Sequence, residues 1–302
     1  MFIVTYRKFF YALSALLVVA SLGALFMWGL LFGIDFKGGS LIEVEYETVR
    51  PDKELVAQEL DMLSIGDYSI RETGERGFIV RTREIAPAEK NVILSAFSFD
   101  NTARFVEKRF DSIGPILGKE ALQKAWISIV LVLLAIVIFI TFVFRRVSHP
   151  IASWKYGLIA ILALMHDVII PMGVFATLGH FAGVEIDTLF VTALLVILGF
   201  SIHDTIVVFD RVRENLKRNV EYKEKKNFDV IVGESINQTF VRSINTSLST
   251  LIAVLVLYVW GPDATKHFSL ALLVGLTAGT YSSIFLGSPL LVTVFKLQEK
   301  KA

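Results

Sequence analysis

Six apolar stretches, residues 9–32, 125–144, 156–178, 189–209, 239–260 and 268–295, decide what this chain can be. A helix needs about 20 residues to cross a bilayer core of roughly 30 Å, and each stretch is long enough. The last is long enough to tilt or to extend beyond the membrane. With 302 residues, 54% hydrophobic content and a mean hydropathy of +0.61, the chain is far too apolar for a soluble domain. The expected fold class is therefore a polytopic α-helical membrane protein with six transmembrane helices. A formal net charge of +1, without a long basic face, gives no reason to expect a nucleic-acid partner. The absence of cysteine removes disulfides, thiol catalysis and Cys-ligated metal sites, and no cofactor or metal site is expected.

The fourth stretch carries the strongest functional signal. It reads LFVTALLVILGFSIHDTIVVF and holds Asp204, with Ser201, His203 and Thr205 beside it. An ionisable group in a membrane helix costs roughly 2.5–3.5 kcal/mol on insertion scales, so it normally faces a bundle interior or a water path. Asp204 is the first candidate functional residue, and the charged run DRVRENLKR that follows is expected to end the span. The third stretch places His166 and Asp167 near its middle, with Pro171 one turn later. In the fifth, Gln238, Arg242, Asn245, Thr246 and Ser249 form one polar stripe at helical spacing, which needs a polar partner. Arg242 could instead snorkel to the headgroups. Interhelical hydrogen bonding is the plainer account of Asp167, and packing or hydrogen bonding the plainer account of His166 and His203. In the sixth stretch Ala271, Gly275, Gly279, Ser283 and Gly287 recur every four residues and specify close helix packing.

Between the first two spans the chain is soluble in character. LIEVEY alternates as a strand and DKELVAQELDML has helical spacing; YSIRE and FIVRT flank the turn-rich TGERG; PAEKNVILSAF starts a helix at Pro87; and ARFVEKRF alternates again. The order β-α-β-β-α-β predicts a small α+β ferredoxin-like domain, serving either as a contact surface for another polypeptide or as a rigid spacer. The segment GIDFKGGS before it makes Asp35, Gly38 and Gly39 turn and hinge candidates, or simply a tight exit from the membrane. The expected boundaries are 1–34 for the N-terminus and first helix, 35–122 for the α+β domain, and 123–302 for the remaining helices with a loop at 210–236.

Orientation follows from the positive charges. Arg7, Lys8, Arg145, Arg146, Lys155, the block at 211–226, Lys296, Lys300 and Lys301 all fall on one side, which reads as cytoplasmic. The α+β domain is then extracytoplasmic and both termini are cytoplasmic. Trp28, Trp126 and Trp260 fall near outer ends and Trp154 near an inner one. The first span lacks an A-x-A-like site after its bulky FMWGLLF exit and so reads as a retained anchor.

Four ordered blocks, GIDFKGGS, GFSIHDTIVVFDRVREN, INQTFVRSINTSLSTL and GTYSSIF, resemble the signature blocks of the SecF family, subunits of the SecDF accessory complex of the Sec protein-export machinery. The resemblance covers essentially the whole chain and places it in the resistance-nodulation-division (RND) superfamily. It implies an RND-type half-bundle that couples proton entry to conformational work. Asp204 matches the family's intramembrane Asp and Arg242 its Arg; Phe200 and His203 depart from the usual Tyr and Asn, and a titratable His203 could share or relay the proton. The resemblance also implies a SecD-like partner in the bacterial inner membrane, work alongside the SecYEG channel and YajC or YidC-type proteins, and a translocating preprotein as cargo. The mechanism expected on this basis pairs Asp204 with Arg242 in one state, and protonation then switches the preferred helix packing. Asp167 is a second polar or proton-linked site. Rival readings are a proton-coupled small-molecule exporter, a membrane aspartyl peptidase using Asp167 with Asp204, and a non-conducting scaffold of the translocon.

Overall fold

A computed structural model of the chain describes residues 2–63, 65–99, 103–143, 151–224 and 226–299. The chain runs α1 (Phe2–Thr5), α2 (Arg7–Trp28), α3 (Ile34–Lys37), β1 (Gly39–Tyr46), α4 (Lys53–Met62), β2 (Tyr68–Thr73), β3 (Gly77–Thr82), α5 (Pro87–Ser98), β4 (Phe105–Ile113), α6 (Pro115–Val143), α7 (Ser153–Ala182), α8 (Thr188–Glu221), α9 (Phe228–Trp260) and α10 (Asp263–Tyr281). After α10 a π-helical segment, Ser282–Gly287, leads into α11 (Ser288–Glu299). The chain divides into two compact units, Phe32–Trp126 and a helical unit of Met1–Leu31 with Ile127–Ala302.

The smaller unit follows from its periodicity. Ile42 and Val44 alternate along β1 and are fully buried, as are Phe78 and Val80 on β3. The sheet they build is antiparallel throughout, in the order β2-β3-β1-β4, with Ile42 opposite Val80 and Val44 opposite Phe78. Helix spacing places Val56 and Leu60 of α4 and Ile93 and Phe97 of α5 in the same apolar cluster, which closes the ferredoxin-like arrangement. The Tyr46 hydroxyl donates to the Phe97 carbonyl at 3.0 Å, so the one polar atom this ring brings into the core is satisfied.

The GIDFKGGS segment folds as a tightly packed turn. Asp35 lies in α3, and Gly38 and Gly39 follow with φ of +78° and +119°, values that an L side chain rarely adopts. Space demands glycine as well. A Cβ on Gly38 would lie 2.6 Å from Pro115 Cα, and one on Gly39 would lie 2.6 Å from the Thr82 carbonyl oxygen.

Among the described residues six helices are long and apolar enough to cross a membrane: α2, α6, α7, α8, α9 and the run from Asp263 to Glu299. Most of them outlast the stretches expected from hydropathy, α6, α8 and α9 by the most, with α6 starting already at Pro115. The charged run after residue 209 leaves the apolar segment without ending the helix, because Arg211–Glu214 and Arg213–Asp210 pair at i,i+3 and α8 continues to Glu221. Its other end is capped by Asp187, whose carboxylate accepts from the Phe190 N–H at 2.8 Å. Likewise α9 starts at Phe228, where the Asn215 side chain of α8 donates to Ser235 and Gln238. Pro171 does not interrupt α7.

The small residues of the last span pack as a seam, with Ala271, Gly275, Gly279, Ser283 and Gly287 all buried. A Cβ on Gly275 would collide with the Ile197 side chain, so α10 and α8 are in backbone-to-side-chain contact there. All four tryptophans are exposed, and Trp28 also stacks on His180 of α7 at 5.1 Å. Arg145, Arg146, Lys300 and Lys301 lie outside the described residues, as does residue 144 at the end of the second apolar stretch.

Candidate functional site: two buried carboxyl groups

On α8 the buried face is built from Ile197, Leu198, Ser201, Ile202, Asp204, Thr205 and Val208, which recur at helical spacing. The polar members of this face meet different partners. Asp204 is 2% exposed, and among the described residues its carboxylate accepts one hydrogen bond, from the Ser247 hydroxyl of α9 at 3.2 Å. His203, the next residue, turns outward with its side chain 69% exposed. Its Nδ1 is 3.9 Å from the Asp204 carboxylate, too far for a hydrogen bond. Thr205 is buried and donates to the backbone carbonyl of Ser201 at 3.0 Å, so its hydroxyl is consumed within the helix.

One turn back on the same face, Ser201 donates to Asp167 of α7. Asp167 is fully buried and receives two further donors. Ser282, the first residue of the π-helical segment, bonds the same oxygen at 2.8 Å, and His166 Nδ1 bonds the other at 2.8 Å. Glycine at 279 keeps this junction open: a Cβ there would sit 3.1 Å from Ser201 Cβ and 3.6 Å from the Asp167 carboxylate. A π turn inserts an extra residue into a helix and re-aims its side chains, and here it accompanies a serine directed at a buried acid.

The sequence-derived stripe on α9 faces the other way. Gln238, Arg242, Asn245, Thr246 and Ser249 are all exposed, while Ser235, Thr239, Ser243 and Ser247 form the buried side. Arg242 is therefore not brought onto Asp204, and among the described residues no ion pair is formed by its guanidinium. The reason is angular. Arg242 and Ser247 are five residues apart, about 140° around a helix, so directing Ser247 at Asp204 turns Arg242 away. Nor do the two carboxyl groups bond one another, as an aspartyl peptidase pair sharing a proton would require. Each is held by separate donors.

Sequence reasoning passed over Ser247 and Ser282. The i,i+4 recurrence of Ser235, Thr239, Ser243 and Ser247 was a signal for the first. No periodic pattern marks Ser282, because a π turn breaks the helical count that such patterns rely on.

Comparison with known proteins follows the same lines. The model for the C-terminal region of the protein export membrane proteins SecD/SecF matches residues 94–297, and the model for the SecD/SecF GG motif matches residues 25–48. The chain is 42% identical to the protein translocase subunit SecF of Thermobaculum terrenum, covering 96% of this chain and 93% of that one. It is 36% identical to the SecF subunit of Pseudomonas aeruginosa, covering 95% and 89%. Its fold superimposes with a TM-score of 0.80 and 30% identity on the crystal structure of SecDF, a translocon-associated membrane protein, from Thermus thermophilus. The match covers 96% of this chain, which spans 38% of that longer one. The chain belongs to the SecF family of protein translocase subunits.

Proposed function

We propose that this chain is an accessory subunit of Sec protein export that, with a SecD-like partner, couples proton entry to movement of its α+β unit and so assists late translocation and release of preproteins. The observation that supports this most directly is Asp204, a buried acid in a membrane helix held by a single hydroxyl of the neighbouring helix. Neutralising it removes a buried charge and changes which packing of α8 against α9 is preferred. A proton crossing the potential supplies roughly 2.3 kcal/mol per 100 mV, comparable with the gap between two packings of a bistable protein. Asp204 is the proton carrier in this reading, Asp167 is a second polar or proton-linked site, and the outward His203 lies on the approach to Asp204. The function is conformational work, with no catalytic residue.

The exposed polar stripe on α9 supports the partner assignment. An arginine facing acyl chains costs roughly 2.5–3.5 kcal/mol, so Arg242 is best covered by polar groups of another subunit. An acidic residue of the SecD-like partner serves as its counter-charge. The positive charges of the short connections support a multi-pass topology in the bacterial inner membrane, with cytoplasmic termini and the α+β unit outside. On this reading the SecYEG channel and YajC or YidC-type proteins are neighbours in the assembly, and residues 35–122 act as the moving domain on a support of 1–34 and 123–302.

Release of a secreted substrate from oriented vesicles, with and without an imposed proton gradient, tests the reading. The Asp204→Asn protein is expected to insert and fold, because Asn keeps the volume and can accept from Ser247, but to lose the gradient-dependent part of release. Asp204→Glu should retain some of it. A wild-type response from Asp204→Asn would make the residue structural and favour a non-conducting scaffold.

A further inference from the structure

Helices α2 and α7 run side by side in a fixed register. Trp28 stacks on His180, and seven residues earlier on both helices a Cβ on Gly173 would collide with Ser21, so the two helices touch closely there. The stack is nearly parallel, with ring centroids 5.1 Å apart and planes 7° from coincident, and Phe181 meets both rings edge-on. Just beyond it the chain is strapped down. The Ile186 N–H, past the end of α7, donates to the Leu31 carbonyl at 2.8 Å, and a Cβ on Gly179 would lie 3.2 Å from Leu31 Cβ. Leu31 is the last residue of the helical unit before the chain enters the α+β unit at Phe32. Trp28, His180, Leu31 and Ile186 thus fasten the exit of α2 onto the end of α7.

One member of this fastening can change charge. An imidazole gains or loses its proton between about pH 5 and pH 8, and His180 is exposed, so protons from solvent reach it. An indole is the best aromatic face for a cation, and at an exposed site the added attraction corresponds to about two- to fivefold in an equilibrium constant. Little else near the ring carries charge. No charged residue lies between Lys8 and Asp35 around α2, or between Asp167 and Glu185 around α7. The connection to α8 brings Glu185 and Asp187, and Asp187 caps α8 and acts on His267 of α10, beside Lys266.

We propose that Trp28 and His180 form an acid-operated latch: protonation of His180 turns the stack into a cation–π contact and tightens the exit of α2 against α7, and loss of the proton slackens it. The latch is tight below the imidazole range and slack above it. Its biological sense rests on the reading that this end of the bundle is extracytoplasmic, the side from which protons enter. The protein in nanodiscs, with Trp126→Phe, Trp154→Phe and Trp260→Phe leaving Trp28 as the one indole, is titrated from pH 8 to pH 5. An imidazolium quenches a stacked indole more than the neutral ring does, so emission should fall in one step that His180→Gln abolishes. Hydrogen exchange supplies the second measure. The protection factor of the Ile186 amide, in which the intrinsic pH dependence of exchange cancels, should be about two- to fivefold higher at pH 5 than at pH 8. It should be the same at both in His180→Gln and in Trp28→Leu, and His180→Arg, a planar cation throughout, should keep it high at both. Emission that does not change with pH, a step that survives His180→Gln, or equal Ile186 protection at the two pH values overturns the proposal. Neither measurement uses a proton gradient or a secreted substrate, so failure of the latch and failure of the export reading are told apart.

Discussion

Asp167 and Asp204 are both buried in membrane-spanning helices, yet one is held by three donors from three separate places in the fold and the other by a single hydroxyl. Hydrogen bonds to a charged group contribute about 1.5–3 kcal/mol each, so the number of donors decides how firmly a carboxylate is fixed. Asp167 is a structural junction among α7, α8 and the π-helical segment. Asp204 lacks such a cage, and a group with one bond loses least when its charge comes and goes. The difference separates a carboxyl group fixed where three elements meet from one held across a single helix contact.

Replacing the better-held acid gives the largest effect on stability. Asp167→Ala leaves the Ser201 hydroxyl and His166 Nδ1 without their acceptor and leaves Ser282 only the Gly279 carbonyl, 3.1 Å away, and unfolding in mixed micelles should show a loss of about 3 kcal/mol. Asp204→Ala, which strands only Ser247, should cost about 1 kcal/mol in the same measurement. Equal losses at the two sites would break the comparison. A smaller contrast is expected between the donors themselves: Ser282→Ala, which removes a 2.8 Å bond, should destabilise by about 1 kcal/mol, and Ser247→Ala, which removes a 3.2 Å bond, by less.

The smallest effect belongs to a carboxylate in water. Glu89 of the α+β unit accepts from the Arg83 guanidinium and from the Ala86 N–H, which together hold its carboxyl at about 2, below the ordinary 4.5. A carboxylate depressed on folding contributes stability that is complete above its unfolded value and lost as pH falls through its folded one. Thermal unfolding of the chain carrying Glu89→Gln, compared with the parent, should therefore differ slightly at neutral pH and converge between about pH 4.5 and pH 2. The difference should also shrink with added salt, since the Arg83–Glu89 pair is about half exposed. A large or salt-independent difference would show that solvent does not set the scale for this site.

How much was legible in the residues differs between the two units and between the two acids. The β-α-β-β-α-β order was readable because strand and helix periods are local, and all four strands and both helices lie where alternation and helical spacing place them. Asp204 and Asp167 stood out for a similar reason, since a charge inside an apolar run is visible without any neighbour. The direction of Arg242 was not legible. The repeat of Gln238, Arg242, Asn245, Thr246 and Ser249 shows that they share a face, and the repeat of Ser235, Thr239, Ser243 and Ser247 shows the same of another. Neither repeat says which face turns inward, because both are polar and hydropathy cannot rank them.

The sequence by itself determined the six apolar spans, the interposed α+β unit, the two candidate acids and the seam of small residues, since each is a property of composition or spacing along one segment. Only the tertiary structure decided that Ser247 rather than Arg242 meets Asp204, that Ser201 and Ser282 converge on Asp167, and that a π turn re-aims the last span. Those choices depend on how each helix is rotated about its own axis. That rotation is set by contacts such as Gly275 against Ile197 and Gly279 against Ser201, between residues far apart in the chain.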